Sequence, residues 1–249
     1  MHRVFFRFYA ELNDLLPAER RQVFFPQPFN DRVTVKHLIE SLGVPHSEVD
    51  LILVDGRSVD FTYIVADGDQ ISVYPVFESL DIGHVTRLRP EPLRETRFVL
   101  DGHLGQLATY LRLLGFDSLY RNDYDDRELA MISSSERRIL LTKDRGLLKR
   151  KMVSHGYLVR ETDPELQMLE VVGRFDLRDR VQPFRRCLRC NGLTDEVPKS
   201  AVIDRLPANT RRYYDEFRLC RDCQQIYWKG SHYKRMQAFL KRTLGLETE

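Results

Sequence analysis

The four cysteines of this chain are the feature that most limits how it folds. They form two Cys-x-x-Cys turns, here called knuckles, Cys187 with Cys190 and Cys220 with Cys223, separated by 29 residues. Two knuckles in a cytoplasmic protein are typical of a tetrahedral zinc site, because each tight turn presents two thiolates on one side. Disulfides are the alternative, and a reducing compartment disfavours them. Four protein ligands leave no open coordination position, so the predicted zinc ion has a structural role.

The composition indicates an ordinary globular protein. Hydrophobic residues make up 42% and charged residues 31% of the 249 residues, which excludes collagen-like, mucin-like and largely disordered chains. No stretch approaches the roughly 20 apolar residues of a membrane span. The first residues carry charge within their apolar run and lack a small-residue cleavage site. We therefore expect a cytoplasmic protein with no membrane partner.

Charge is distributed unevenly along the chain, although the net charge is only +2. Residues 1–80 carry 7 basic and 12 acidic side chains, whereas residues 176–249 carry 16 basic and 10 acidic ones. The part of the chain that contains the cysteines is therefore its basic part.

Residues 1–80 follow the order of a β-grasp fold, which is strand pair, helix, strand pair. A run at 4–9 and a short run at 22–25 predict the first, antiparallel pair. A helix capped by Thr34 is expected to end at Gly43. Alternating apolar residues after Gly68 predict the last strand.

This first segment resembles the ubiquitin-like family, and in particular its sulfur-carrier branch, through the run GDQISVYP at 68–75. Carriers of that branch act through a free C-terminal Gly-Gly. This chain instead continues through Val76-Phe77-Glu78-Ser79, with a lone Gly83. The resemblance therefore favours a structural role or the docking of a protein partner over carrier chemistry.

The middle of the chain alternates strands with helices. Residues 79–95, with Pro90 and Pro92 among charged residues, predict a linker. Short apolar strands and amphipathic helices then alternate four times over residues 96–175, which is typical of a mostly parallel sheet flanked by helices. The predicted strands are residues 98–100, 118–121, 139–141 and 157–159.

Aspartates follow all four predicted strands. Asp101 follows the first, Asp123, Asp125 and Asp126 the second, Asp144 the third and Asp163 the fourth. Because ligands of such sheets bind beyond the carboxyl ends of the strands, we expect acidic side chains to converge there. Carboxylates in one cleft repel each other unless a cation lies among them, and oxygen ligands favour Mg²⁺ or Mn²⁺. Such ions generate hydroxide near neutral pH and stabilise charge on a phosphodiester.

A structural role is the alternative for some of these residues. Asp126 and Asp163 each lie where a helix begins, and a helix cap explains either. Asp101 and Asp144 directly follow apolar strands, which favours the metal site, and Glu128 is a weaker alternative ligand. Cations beside Asp144 suit a phosphate backbone and, almost equally, a solvated helix face. These cations are Lys143, Arg145, Lys149, Arg150 and Lys151.

Three motifs occur in order in this region: FVLDGHLG at 98–105, LATYLRLLGFD at 107–117 and RILLTKDRGLL at 138–148. With them, residues 96–236 resemble the Mut-seven C-terminal RNase domain family, a branch of the PIN-like nucleases whose members end in a zinc ribbon. A preceding ubiquitin-like segment is a known arrangement in that family. The resemblance implies divalent-metal-dependent cleavage of RNA, with Asp101, an acid of the Asp125-Asp126 pair and Asp144 as metal ligands. The choice between Asp125, Asp126 and Glu128 stays open.

Residues 185–249 are expected to form a zinc ribbon with four cysteine ligands and a basic amphipathic helix over residues 233–244. Arg186 and Arg189 flank the first knuckle, and Trp228 and Lys229 follow the second. Aromatic rings among cations stack on bases and neutralise phosphates, but they also pack a ribbon onto its neighbour. Both roles stay open for Trp228.

The sequence thus predicts three parts: a β-grasp domain over 1–80, a PIN-like α/β domain over 96–175 and a zinc ribbon with its helix over 185–249. The expected activity is hydrolysis of RNA with Mg²⁺ or Mn²⁺, the RNA being held partly by the basic ribbon. The alternative is a non-catalytic RNA-binding adaptor with a structural zinc site. Metal-dependent turnover distinguishes the two.

Overall fold

The computed structural model describes residues 2–75, 86–88 and 96–246. The chain divides into two compact units, each made of two stretches. The first unit is Met1–Val99 with Tyr124–Leu158, and the second is Leu100–Asp123 with Val159–Glu249. The run 76–79, Gly83 and most of the predicted linker lie outside the described residues.

Residues 2–75 form a β-grasp fold, the fold predicted for this part of the chain. Its elements are β1 (His2–Phe8), β2 (Phe25–Phe29), α1 (Val35–Ser41), β3 (Val49–Val54), β4 (Arg57–Val59) and β5 (Gln70–Pro75). The sheet order is β2-β1-β5-β3-β4, in which β1 and β5 are parallel and the other neighbours antiparallel. Rings of Phe6, Phe8 and Phe25 pack together in its core, with centroids 5.7 to 6.4 Å apart.

Local signals in this domain are mostly confirmed. The Thr34 side chain accepts a hydrogen bond from the backbone N–H of His37 at 3.2 Å and so caps α1. Gly43 has φ of +97°, a conformation that suits glycine where a helix ends. The predicted strand at 22–25 was wrong in position, because Gln22 has φ of +59° and the paired run begins at Phe25. This strand contains two prolines, which an edge strand tolerates.

The predicted α/β alternation is also confirmed. Its elements are β6 (Arg97–Leu100), α2 (Gly105–Leu113), β7 (Asp117–Tyr120), α3 (Asp126–Ser135), β8 (Ile139–Thr142), α4 (Arg145–Leu148), β9 (Gly156–Leu158) and α5 (Pro164–Arg174). The four strands form a parallel sheet in the order β7-β6-β8-β9, flanked by helices. Phe98, Val99 and Leu100 of β6 and Leu140 and Leu141 of β8 are fully buried, which explains the unbroken apolar runs in the sequence.

The C-terminal part is a small antiparallel ribbon followed by a helix. Its elements are β10 (Thr194–Val197), α6 (Ala208–Tyr213), β11 (Phe217–Cys220), β12 (Ile226–Trp228) and α7 (Ser231–Leu244). The sheet order is β10-β11-β12. The segment between the knuckles contains β10 and α6, and it buries Val202 and Leu206 against Phe217. Helix α7 begins two residues before the predicted start at 233.

Among the described residues, α7 is the longest α-helix, with 14 residues. None of the helices in this part of the chain has both the length and the apolar character needed to cross a membrane.

Candidate functional site

The two knuckles have the same backbone conformation. In each, the carbonyl of the first cysteine accepts a hydrogen bond from the amide four residues later, Asn191 to Cys187 at 2.9 Å and Gln224 to Cys220 at 3.2 Å. Asn191 and Gln224 both lie in the left-handed region, with φ of +74° and +58°. This repeated turn directs both thiols of a pair to one side.

The four cysteine sulfurs form one cluster, and all of them lie within 4.8 Å of one another. The Sγ atoms of Cys187 and Cys223 are 3.5 Å apart, and those of Cys190 and Cys220 are 3.4 Å apart. Zinc–sulfur bonds of about 2.3 Å in a tetrahedron separate the sulfurs by about 3.8 Å. The cluster therefore has the size and ligand type for a metal ion such as zinc.

Hydrogen bonds prepare one of these thiols for metal binding. Burial raises the pKa of Cys187, but bonds from Tyr227 and from the amides of Cys190 and Arg189 outweigh burial and lower it to about 7. The Tyr227 oxygen accepts from the Leu188 amide at 3.1 Å and is hydrogen-bonded to the Cys187 sulfur, also at 3.1 Å. Burial and the neighbouring thiols raise the pKa of Cys190 to about 12. Metal binding must therefore release protons from this cluster.

Arg112 of α2 anchors the first knuckle from outside the ribbon sequence. Its side chain is buried, with 4% of the residue exposed. Nε donates to the Ser118 carbonyl at 2.9 Å, and Nη1 donates to the carbonyls of Leu188 and Arg189 at 3.1 and 3.2 Å. Burial lowers the pKa of Arg112, whereas the neighbouring cysteine thiolates oppose that shift. A buried cation beside the cluster offsets the negative charge of its thiolates.

Asn191 attaches the same knuckle to strand β7. Its Oδ1 accepts from the Ser118 amide at 2.9 Å, and its Nδ2 donates to Asp117 Oδ1 at 2.8 Å. Sequence reasoning missed both Arg112 and Asn191. The only local signals were an arginine within the apolar run of α2 and an asparagine directly after Cys190, and neither indicates a partner 73 to 77 residues away.

Asp101 is the buried member of the acidic set, with 7% of the residue exposed. It follows β6 directly and caps the short 3-10 turn Gly102–Leu104, its Oδ1 accepting from the His103 amide at 2.8 Å. The His103 imidazole lies 3.3 Å from the same oxygen and is itself 88% exposed. Asp101 thus lies directly after β6, the position that the sequence predicts for it, and it belongs to the second unit.

Asp144 belongs to the first unit and is exposed. Its Oδ1 accepts from the Gly146 amide at 2.6 Å, so it is the N-cap of α4. Its own amide donates to Thr142 Oγ1 at 3.0 Å, which fixes the chain as it leaves β8. One carboxylate oxygen is therefore used by the cap.

The acids after the second strand have different structural roles. Asp125 and Glu128 form a capping box at the start of α3: Asp125 Oδ1 accepts from the Glu128 amide at 2.7 Å, and Glu128 Oε2 accepts from the Asp125 amide at 3.0 Å. The interpretation of Asp126 as the cap was wrong, because the reciprocal box requires the glutamate three residues after the cap. Asp126 instead pairs with Arg150, with 3.0 Å between Oδ2 and Nη2.

Asp163 caps α5. Its Oδ1 accepts from the amides of Glu165 and Leu166 at 2.9 and 3.1 Å, and Pro164 occupies the first turn. The capping interpretation is confirmed for this residue.

Two models of known protein families match parts of this chain. A family model described as the Mut7-C RNAse domain matches residues 96–240, more than half of the chain. The chain belongs to the Mut7-C RNAse domain family. A second model, described as Mut7-C ubiquitin, matches residues 1–81. No curated protein and no solved structure matches the chain. These findings confirm the resemblance and indicate a nuclease-type function for this Mut7-C protein.

The cations beside Asp144 in this Mut7-C protein differ in their contacts. Lys149 Nζ donates to the Glu40 carbonyl of the β-grasp domain at 2.6 Å, and Arg150 is paired with Asp126. Lys143 and Arg145 are exposed. Lys151 is exposed as well. Binding of RNA stays a prediction for all five cations.

Two arginines at the first knuckle also differ. Arg186 is mostly buried, with Nη1 donating to the Asn191 carbonyl at 2.9 Å and Nη2 lying 3.5 Å from Asp117 Oδ2. Arg189 is exposed. The Arg186 side chain thus binds protein groups in this Mut7-C ribbon, and its contact with RNA stays a prediction, as it does for Arg189.

Trp228 and Lys229 line a groove of about 1070 Å³ in the second unit. Trp228 is partly buried and packs against the ribbon core, so the packing role is present. Lys229 is exposed and pairs with Glu216, with 2.8 Å between Nζ and Oε2. Rings of Phe184 and Tyr233, whose centroids are 4.4 Å apart, line the same groove. Its aromatic lining is compatible with base stacking, which stays a prediction.

Proposed function

We propose that this Mut7-C protein is a divalent-metal-dependent ribonuclease that hydrolyses phosphodiester bonds of RNA. The observation that carries the proposal is the match of residues 96–240 to the Mut7-C RNAse domain. The described geometry supports it through Asp101, a nearly buried carboxylate directly after a central strand. A carboxylate at that position supplies an oxygen ligand of the kind that Mg²⁺ and Mn²⁺ prefer.

The proposed ligands of Mg²⁺ or Mn²⁺ are Asp101, Asp126 and Asp144. The strand order supports this set, because β6 and β8 are neighbours and the carboxyl ends of parallel strands lie at one edge of a sheet. Asp126 is favoured over Asp125 because it makes no cap hydrogen bond. Asp101 and Asp144 also act as caps, and they are retained because they follow the neighbouring strands β6 and β8. The Asp126–Arg150 pair is about half exposed, and pairs of that kind are worth only about 0–1 kcal/mol. A dication can displace such a partner.

When bound, the metal ion lowers the pKa of its water and stabilises negative charge on the phosphate. The carboxylates of Asp101, Asp126 and Asp144 hold the ion at the carboxyl ends of the strands. The exposed side chains of Lys143 and Arg145 are proposed to neutralise the RNA backbone beside Asp144. In the second unit, Arg189, Trp228 and Lys229 are proposed to bind RNA through charge and stacking. Zinc in the cysteine cluster is proposed to be structural.

One observation favours a second candidate, the non-catalytic RNA-binding adaptor. Asp144, Asp125 and Asp163 each cap the helix that follows them, so each is explained without a metal ion. An adaptor binds RNA with a steep dependence on salt but shows no metal-dependent turnover.

The test is cleavage of end-labelled mixed RNA by the purified protein with Mn²⁺. We expect wild type to cleave, and Asp101→Asn and Asp144→Asn to lose activity by roughly a hundredfold or more, equivalent to about 2.7 kcal/mol of transition-state stabilisation. Asp123→Asn is the matched control, because Asp123 is an exposed acid whose carboxylate forms a bidentate pair with Arg121. Equal cleavage by wild type and both site variants would reject the site. RNA binding without cleavage would support the adaptor.

A further inference from the structure

The β-grasp domain contains one turn in which three polar residues are all buried. His46, Ser47 and Glu48 form a 3-10 turn and are 6%, 0% and 2% exposed. Buried polar groups are costly unless they are hydrogen-bonded. His46 has a partner within its own domain, since its Nδ1 lies 2.7 Å from Glu40 Oε1. The other two side chains bind groups of the nuclease sequence.

Ser47 and Glu48 bind the two ends of the segment that follows Asp144. Ser47 Oγ donates to the Leu148 carbonyl at 3.1 Å, and the Leu158 amide donates to Glu48 Oε1 at 2.9 Å. Leu148 is the last residue of α4, and Leu158 is the last residue of β9, an edge strand of the parallel sheet. The β-grasp turn thus supplies a donor to a helix end and an acceptor to an edge strand, groups that the fold itself leaves without regular partners.

Two further contacts tighten the same junction. Lys149 Nζ donates to the Glu40 carbonyl near the end of α1, at 2.6 Å. A side chain on Gly156, at the start of β9, would overlap Leu148 and would approach Ser47 Oγ to 3.3 Å. There is therefore no room between the turn and the α4–β9 segment, and residues 1–99 belong to the same compact unit as residues 124–158.

We propose that the β-grasp domain is an internal clamp that positions Asp144. Helix α4 is a single turn: Asp144 caps its start by accepting from Gly146 at 2.6 Å, while its end is held by Ser47 and, at the next residue, Lys149. Because one turn is too short to bend, holding its last residue also fixes its cap.

Ser47, Glu48 and Lys149 are thus positioning residues. The turn that contains Ser47 and Glu48 is occupied by the chain itself, so any protein partner of the β-grasp domain must use another face. The clamp rests on these contacts, and its effect on metal binding rests on the proposed function.

Amide hydrogen exchange tests the clamp without RNA or activity. The exchange rate of the Gly146 amide reports the Asp144 cap, and the Glu128 amide, which binds Asp125 in the same way, is the internal control. In Lys149→Met and Ser47→Ala we expect Gly146 to exchange roughly fivefold faster or more, with Glu128 unchanged. Lys149→Arg should restore slow exchange. Lys151→Met removes a nearby exposed charge and should have no effect.

An unchanged Gly146 rate in both variants would overturn the clamp. So would equal acceleration at Gly146 and Glu128, because that result signals general destabilisation rather than loss of positioning.

Titration with MnCl₂ alone then separates the clamp from the proposed function. Without RNA, loss of an RNA contact by Lys149 has no effect, so we expect Lys149→Met to weaken Mn²⁺ binding roughly threefold or more and Lys151→Met to leave it unchanged. Faster Gly146 exchange with unchanged Mn²⁺ affinity would overturn the positioning role. Wild type that binds no Mn²⁺ would overturn the proposed function, and the Gly146 rates would still decide whether the clamp exists.

Discussion

Replacing Arg112 by methionine tests how the zinc ribbon is joined to the rest of its unit. The substitution keeps an apolar stem of similar length but removes three hydrogen bonds to backbone carbonyls. The hydrogen bond that the Ser118 carbonyl accepts is buried, and leaving such an acceptor without a donor costs about 1–3 kcal/mol. The carbonyls of Leu188 and Arg189 are partly exposed and can bind water, so each loss is worth about 0.5–1.5 kcal/mol.

The expected loss in the free energy of unfolding is therefore about 4 kcal/mol, within a range of roughly 2–6. That is a large share of the roughly 5–15 kcal/mol typical of a folded protein. Urea unfolding of the zinc-loaded protein measures it, and a chromogenic chelator measures zinc release in parallel. We expect Arg112→Met to release zinc faster, because the cation that offsets the thiolates is gone. Arg112→Lys keeps the positive charge but lacks the planar guanidinium group, so its stability and its rate of zinc release should lie between those of wild type and Arg112→Met.

A loss of less than about 1 kcal/mol would refute this reasoning, because that is an ordinary effect for any substitution. An unchanged rate of zinc release in Arg112→Met would separately refute the claim that the Arg112 charge offsets the charge of the thiolates. Wild type and Arg112→Lys must be compared at the same zinc concentration, since bound metal adds to apparent stability.

Two further substitutions test single features of the fold. Gly115→Ala should lower the free energy of unfolding by more than about 2 kcal/mol, because Gly115 has φ of +93° and a Cβ would overlap the Gln182 carbonyl oxygen. Calorimetry measures this loss. The control is Gly173→Ala, which should be neutral or stabilising because Gly173 lies in a helix with open space around it. Asp163→Ala should cost about 1 kcal/mol through the lost cap of α5. It should leave Mn²⁺-dependent cleavage of RNA intact, and a loss of cleavage comparable to that expected for Asp144→Asn would show that Asp163 is more than a cap.

The sequence was sufficient where structure follows from local pattern. The order of strands and helices and the α1 cap at Thr34 follow from short windows of residues. The two knuckles are far apart in the chain, but their repeated Cys-x-x-Cys spacing predicts that they share one site. The exceptions were small and had local causes. The run at 22–25 is apolar enough to suggest a strand, but Gln22 adopts a left-handed conformation, and β2 starts three residues later.

Contacts between distant parts of the chain were not predictable. Ser47 binds Leu148 and Glu48 binds Leu158 across 101 and 110 residues, and hydrophobic periodicity carries no information about such pairs. The same limit applies to Arg112, which binds the first knuckle 76 and 77 residues later. Choosing between neighbouring acids also required coordinates, because a capping box depends on side-chain geometry.

Binding of Mn²⁺ by the zinc-loaded protein is the most direct test of the proposed metal site at Asp101 and Asp144. Isothermal titration at fixed zinc should give Mn²⁺ binding to wild type and its loss in both Asp101→Asn and Asp144→Asn, while all three proteins keep their zinc. Wild-type protein that takes up no Mn²⁺, or variants that bind it as tightly as wild type, would contradict the claim that these two aspartates share a dication.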